Sequence, residues 1–108
     1  MKQKQTSADT KTGLSFTTRL CGTANVITNT YQRGGKLSVE LAAESGEEIA
    51  TLSVNMPECS HLLDDGEFFA KTWSENEEIA EDALASGIFR DTGRRSDNIV
   101  NAPIWTFK

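Results

Sequence analysis

Apolar side chains recur at every second position in three stretches between residues 14 and 56, and only one later stretch changes to helical spacing. Side chains alternate faces along a strand, so a chain of this kind buries its apolar face by pairing strands into a sheet. In the first stretch Leu14, Phe16, Thr18 and Leu20 oppose Ser15, Thr17 and Arg19. After a break at Gly22 the pattern resumes through Val26, Ile27 and Thr28, and Gly34-Gly35 supplies a turn. Leu37, Val39, Leu41 and Ala43 then share a face, and Glu44-Ser45-Gly46-Glu47 carries the glycine that a short hairpin connection favours. Beyond it Ala50, Leu52, Val54 and Met56 point one way and Thr51, Ser53 and Asn55 the other, until Pro57, which cannot donate to a ladder, ends the strand.

The later part reads as a loop over 58–66, a short strand or extended lead-in over 67–73 anchored by Phe68 and Phe69, and a helix over 74–86. Ser74 and Glu77 have the spacing of a capping box, Glu75 and Glu78 suit the positive end of the helix dipole, and Gly87 is a stop. Ile79, Ala80, Ala83 and Leu84 line one face, while Glu75, Glu78, Glu81 and Asp82 line the other with no cation inside the helix to pair with them. A polar turn at 91–95 and a last strand at 99–107 follow, with Pro103 placing that strand at an edge or its first residues outside the ladder. The expected class is α+β: an antiparallel β-sheet of four to six strands with one main α-helix packed on one face. At 108 residues there is room for one domain, expected over 13–108, behind a flexible polar arm at 1–12.

Charge is segregated along this pattern. Residues 37–85 hold thirteen carboxylates and one cation, Lys71, whereas the rest of the chain holds three carboxylates and ten cations. Such a one-signed middle repels nucleic acid and attracts basic protein surfaces. The candidate partner-binding residues are therefore Glu44, Glu47 and Glu48 on the hairpin and Glu75, Glu78, Glu81 and Asp82 on the helix.

An ordered set of short motifs points further. Ala50-Thr51-Leu52-Ser53-Val54-Asn55, Ser74-Glu75-Asn76-Glu77, Gly87 with Asp91-Thr92-Gly93-Arg94, and residues 100–103 resemble a group of small uncharacterised proteins of bacterial phages, plasmids and conjugative elements. The resemblance spans roughly residues 37–107 and implies mobile-element origin and a shared fold, with no catalytic residue to carry over. Combined with the acid, it makes the expected protein a non-enzymatic inhibitor of a host nucleic-acid-targeting defence system, of anti-CRISPR or anti-restriction type, with carboxylates standing where phosphates would bind. The alternative is an accessory protein–protein interaction module of phage or plasmid maintenance without mimicry.

Other motifs read more plainly. Asp91-Thr92-Gly93 spells the aspartic-protease triplet, but Arg94 and Arg95 beside it would keep two such carboxylates ionised and prevent proton sharing, so a turn in which Asp91 bonds its own backbone is expected. Cys59-Ser60-His61 provides too few soft ligands for zinc and lacks an orienting group for a nucleophilic pair. Gly34-Gly35 has no following helix or lysine to cradle phosphate. Arg90, Arg94 and Arg95 form a solvated turn, and Trp73, Trp105 and Phe107 are core candidates. No metal, no cofactor and no direct nucleic-acid contact are expected. The start lacks a signal-like apolar run and no stretch approaches a membrane span, so a cytoplasmic monomer or homodimer with reduced Cys21 and Cys59 is expected, with a basic host protein of a nucleic-acid-binding complex as its partner.

Overall fold

The computed structural model describes residues 10–108. They form eight strands in two four-stranded antiparallel sheets, β1-β2-β3-β4 and β5-β6-β8-β7, plus one α-helix. The first sheet takes β1 (Thr10–Thr18), β2 (Gly22–Thr30), β3 (Leu37–Ala42) and β4 (Glu48–Thr51). The second takes β5 (Ser53–Val54), β6 (Glu67–Ala70), β7 (Phe89–Arg95) and β8 (Pro103–Phe107), with α1 (Glu77–Ala85) preceding β7. The class is α+β, with two sheets in place of the single expected one. β1 begins at Thr10, so only the first nine residues of the expected arm lie outside the described residues.

The expected single strand over 49–56 divides at Leu52, and that division joins the sheets. The Leu52 N–H donates to the Val39 carbonyl of β3, while its own carbonyl accepts the Lys71 N–H beside β6. The next residue seals the corner: the Ser53 hydroxyl accepts the Val39 N–H at 2.9 Å and lies 2.6 Å from the Tyr31 hydroxyl. A strand that switches sheets in this way makes the corner of a folded-over sheet pair. The opposite flanks of the two sheets are β1 and β7, and α1 contacts both.

The core follows the alternation. Phe16, Ala24, Val26, Val39 and Leu41 from the first sheet meet Phe68, Ala70, Phe89 and Trp105 from the second, together with Ile79, Ala80 and Ala83 of α1. Phe68 stands edge-on to Phe89 and Trp105, with ring centroids 5.8 and 6.2 Å apart. Residues of opposite phase in β6 and β8, Phe69 and Ile104, belong to a second cluster with Met56, Cys59, Leu63 and Ala102. Both strands are therefore covered on two sides, so they read in sequence as apolar runs without clean alternation. Trp73 packs at the margin of this second cluster and Phe107 at the margin of the first.

Four expectations about local structure change. Ser74 does not cap: it opens a 3-10 turn, Ser74–Asn76, at φ 58°, and neither it nor Asn76 caps a helix through its side chain. Asn76 instead is buried and donates its amide to the Thr51 and Lys71 carbonyls at 2.8 and 3.1 Å, tying the helix start to the sheet corner. The buried face of α1 is centred on Ile79, Ala80 and Ala83, leaving Leu84 37% exposed; Gly87 does end it, at φ 83°. Residues 58–66 are not all loop, since Pro57–Leu62 is a 3-10 helix. The expected turn over 91–95 is the outer half of β7, and β8 is interior to its sheet, with residues 99–102 outside the ladder.

β7 was hidden by a bulge that also interrupts β1. In β7 the register slips between Asp91 and Arg95, around Gly93 at φ 87°; in β1 it slips between Lys11 and Ser15, around Gly13 at φ 80°. Each bulge has the same chemistry. Thr12 and Thr92 donate their hydroxyls to Val26 and Ile104 carbonyls across the ladder, at 2.9 and 2.8 Å. The same hydroxyls accept the N–H of Leu14 and Arg94, two residues on. Both bulges lie on edge strands, where the distortion blunts edge-to-edge pairing.

Candidate interaction surface

Strand register places the acidic segments at one end of the first sheet. Thr18 pairs with Gly22 and Asn25 with Ala42, so the β1–β2 turn and the β3–β4 hairpin project from the same end. Glu44, Glu47 and Glu48 on that hairpin are exposed. The Thr51 hydroxyl donates to Glu48 at 3.1 Å, and among the described residues none of the three forms an ion pair.

The helix carboxylates are in a different condition. Arg19, from the β1–β2 turn, reaches across to α1 and meets Asp82 through Nε at 2.8 Å, Glu81 at 3.0 Å and Glu78 at 3.2 Å. Its backbone N–H adds a bond to Asp82 at 2.9 Å, and its guanidinium also donates to the Glu78 carbonyl at 3.3 Å. The hydrogen bond donated to Glu81, with Asp82 and Glu78 adding to it, raises the guanidinium's affinity for its proton. Lys71 donates to Glu75 at 2.7 Å and holds that carboxyl below its usual range. All four helix residues named from sequence thus have cationic partners, supplied by other elements. Two cations still leave the group, counting exposed Glu77, with an excess of negative charge. Beside it runs an open groove of about 420 Å³ lined by Leu20, Ser74, Glu75, Glu77, Glu78 and Glu81.

Sequence reasoning missed Arg19, Leu20 and Asn76. Arg19 is the sole cation between Lys11 and Arg33 and stands at the end of an alternating stretch, where a turn would free it to reach another element. Leu20, expected on the buried face, is 66% exposed because it lies in the turn and not the strand.

The remaining motifs have structural places. The Asp91 carboxylate accepts the Gly93 N–H at 2.8 Å, bonding its own backbone at the β7 bulge. Cys59 is buried, its thiol pushed up in pKa by burial and by donation to Asp97 at 3.3 Å, whereas Cys21 and His61 are exposed. Arg94 is no free member of a basic turn: it pairs with Glu67 and donates to the Leu62 carbonyl at 2.9 Å. Burial works against the Glu67 charge, but the bond from Arg94 and the Asp64 N–H outweigh it and hold the carboxyl below its usual range. Among the described residues no three His, Cys, Asp or Glu side chains gather as a metal site, and no helix is long and apolar enough to cross a membrane. Trp105 Nε1 is buried without an acceptor among them. No family model, curated protein or solved structure matches the chain.

Proposed function

We propose that the chain is a non-enzymatic binding module, α1 covering its sheets, that offers the acidic end of its first sheet to a basic protein surface. The observation that carries this reading is the β3–β4 hairpin: Glu44, Glu47 and Glu48 project together, exposed and without ion pairs among the described residues, at the end where α1 adds its excess acid. Three carboxylates on a short, braced connection can occupy arginine and lysine sites built for a phosphate backbone. The resemblance to mobile-element proteins narrows the partner to a component of a host nucleic-acid-targeting defence complex, met in the cytoplasm. Inhibition would then follow from competition with nucleic acid for that component.

A second reading is favoured by Arg19 and Lys71. Because they engage four of the seven candidate residues, the acid of α1 serves partly to fasten the helix, as in an accessory interaction module without mimicry. A pull-down from host lysate at low and high salt separates the two. Mimicry requires a basic, nucleic-acid-binding partner that is released as salt rises and displaced by added duplex DNA. A partner indifferent to both treatments would favour the accessory module.

A further inference from the structure

The β7–β8 loop, residues 96–102, spends its polar groups on bracing itself. The Ser96 hydroxyl accepts the Ala102 N–H at 2.8 Å and bonds Asn98 Oδ1 at 2.7 Å. The Asn98 amide donates to Glu58 at 3.3 Å, the Cys59 thiol to Asp97, and Arg95 Nε to the Asn101 carbonyl at 3.1 Å. Ala102 beneath is fully buried in the second cluster. On this base Ile99 is 100% exposed and Val100 43%. Loop tips ordinarily carry polar residues, and the two aliphatic side chains contribute nothing to either core. A braced apolar knob loses little conformational freedom when it docks.

The same chain carries a matching concavity. Asn25, Ile27 and Ala42 alternate with the core-facing Ala24, Val26 and Leu41, and on their face of the first sheet the β1 bulge and the β3–β4 hairpin border a cleft of about 280 Å³. Leu14, Ile27 and Ala42 give it apolar lining, and Lys11 and Glu44 are its charged residues. Arg95 and Asp97, both exposed at the root of the loop, are opposite in sign to Glu44 and Lys11 of the cleft. A lipid surface suits the knob less well, because the chain is net −5 and Asp97 and Glu58 stand at the loop's root.

We propose that the Ile99-Val100 tip of one copy inserts into the cleft beside the Gly13 bulge of a second copy. Knob and cleft are different surfaces, so copies join either reciprocally, as a two-fold pair, or head to tail, as a ring or an open chain. Only a small area is covered, so association is weak and shows at high protein concentration. The contact leaves the helix carboxylates free but shares Glu44 with the surface proposed for a basic partner.

Sedimentation equilibrium of the full chain over a wide concentration range tests this, with Ile99→Asp removing the knob and Leu14→Lys blocking the cleft, both at exposed positions. The wild type should gain mass with concentration, and each variant should associate about tenfold more weakly or worse while keeping the wild-type melting curve. An equimolar mixture should recover a 1:1 complex, since one variant keeps the cleft and the other the knob. A wild type that stays monomeric throughout, or a mixture that does, overturns the proposal. So does binding to anionic phospholipid vesicles that Ile99→Asp abolishes, which would assign the tip to lipid.

Discussion

The acidic helix and the acidic hairpin look alike in sequence and differ in the fold. On α1, Asp82, Glu81 and Glu78 converge on one guanidinium, and Glu75 of the preceding 3-10 turn meets one ammonium. On the β3–β4 hairpin, Glu44, Glu47 and Glu48 are exposed and form no ion pair among the described residues. The difference teaches that a run of like charge is a statement about the chain and not about the surface. Arg19 lies 63 residues from Asp82 in sequence, and the β1–β2 turn brings them together. Charge held in this way fastens an element, and charge left over is available to a partner.

Four expected outcomes break or sharpen this contrast. The largest concerns what seats α1. If its apolar face and not its ion pairs supplies most of the anchoring, Ile79→Ala, at a side chain 5% exposed in the main core, costs about 2–5 kcal/mol in a denaturant titration. Leu84→Ala, at a position 37% exposed, costs less than about 1 kcal/mol. Equal costs would mean the helix is seated differently.

Next comes a pair that belongs to neither surface. Glu67 is 9% exposed and held by Arg94, so Glu67→Gln is expected to cost about 1–3 kcal/mol at neutral pH. Its folded carboxyl titrates below the unfolded one, so its stabilisation is complete above the unfolded pKa and is lost as pH falls through the folded value. Melting curves of wild type and variant should therefore converge on acidification. A gap that stays constant down to the acid limb would show that the carboxylate's charge is irrelevant.

A smaller effect is expected at Arg19. Arg19→Met should lower Tm at low salt and do so less at about 1 M salt, because Arg19, Glu78 and Glu81 are solvent-exposed and screened, while the better sheltered bond to Asp82 persists. Reversing Glu44, Glu47 and Glu48 to lysine should leave Tm nearly unchanged at either salt. By the same geometry Glu75→Lys, Glu78→Lys and Asp82→Lys together do not leave the fold alone, since they place three cations against Arg19 and Lys71.

What was legible in the sequence follows from the range of the interactions involved. The alternation of Phe16 and Thr18, of Val39 and Leu41, and the helical spacing of Ile79, Ala80 and Ala83 are local consequences of strand and helix periods. The hairpin at Glu44-Ser45-Gly46-Glu47 and the stop at Gly87 are equally local. The division at Leu52 was invisible because both halves keep one alternation while their backbone groups turn to different sheets. β7 was invisible because an edge strand buries little, and the Thr92-Gly93 bulge shifts its phase. Ser74 kept the spacing of a capping box, but the corner recruited Asn76 to the Thr51 and Lys71 carbonyls, and the turn closed another way. Of the candidate surface, the run of carboxylates was legible, and their pairing with Arg19 and Lys71 and the exposed place of Leu20 were not.

The smallest structural effect should carry the largest functional one. The affinity of the low-salt partner for wild type and for the Glu44→Lys, Glu47→Lys, Glu48→Lys variant, compared with Arg19→Met, measures whether the free carboxylates are the ones that bind. The account predicts that reversing the hairpin abolishes binding at unchanged Tm, that Arg19→Met retains it, and that duplex DNA competes for the same partner. Unchanged affinity in the hairpin variant, or a host lysate that returns no salt-sensitive partner for the wild type, would contradict it.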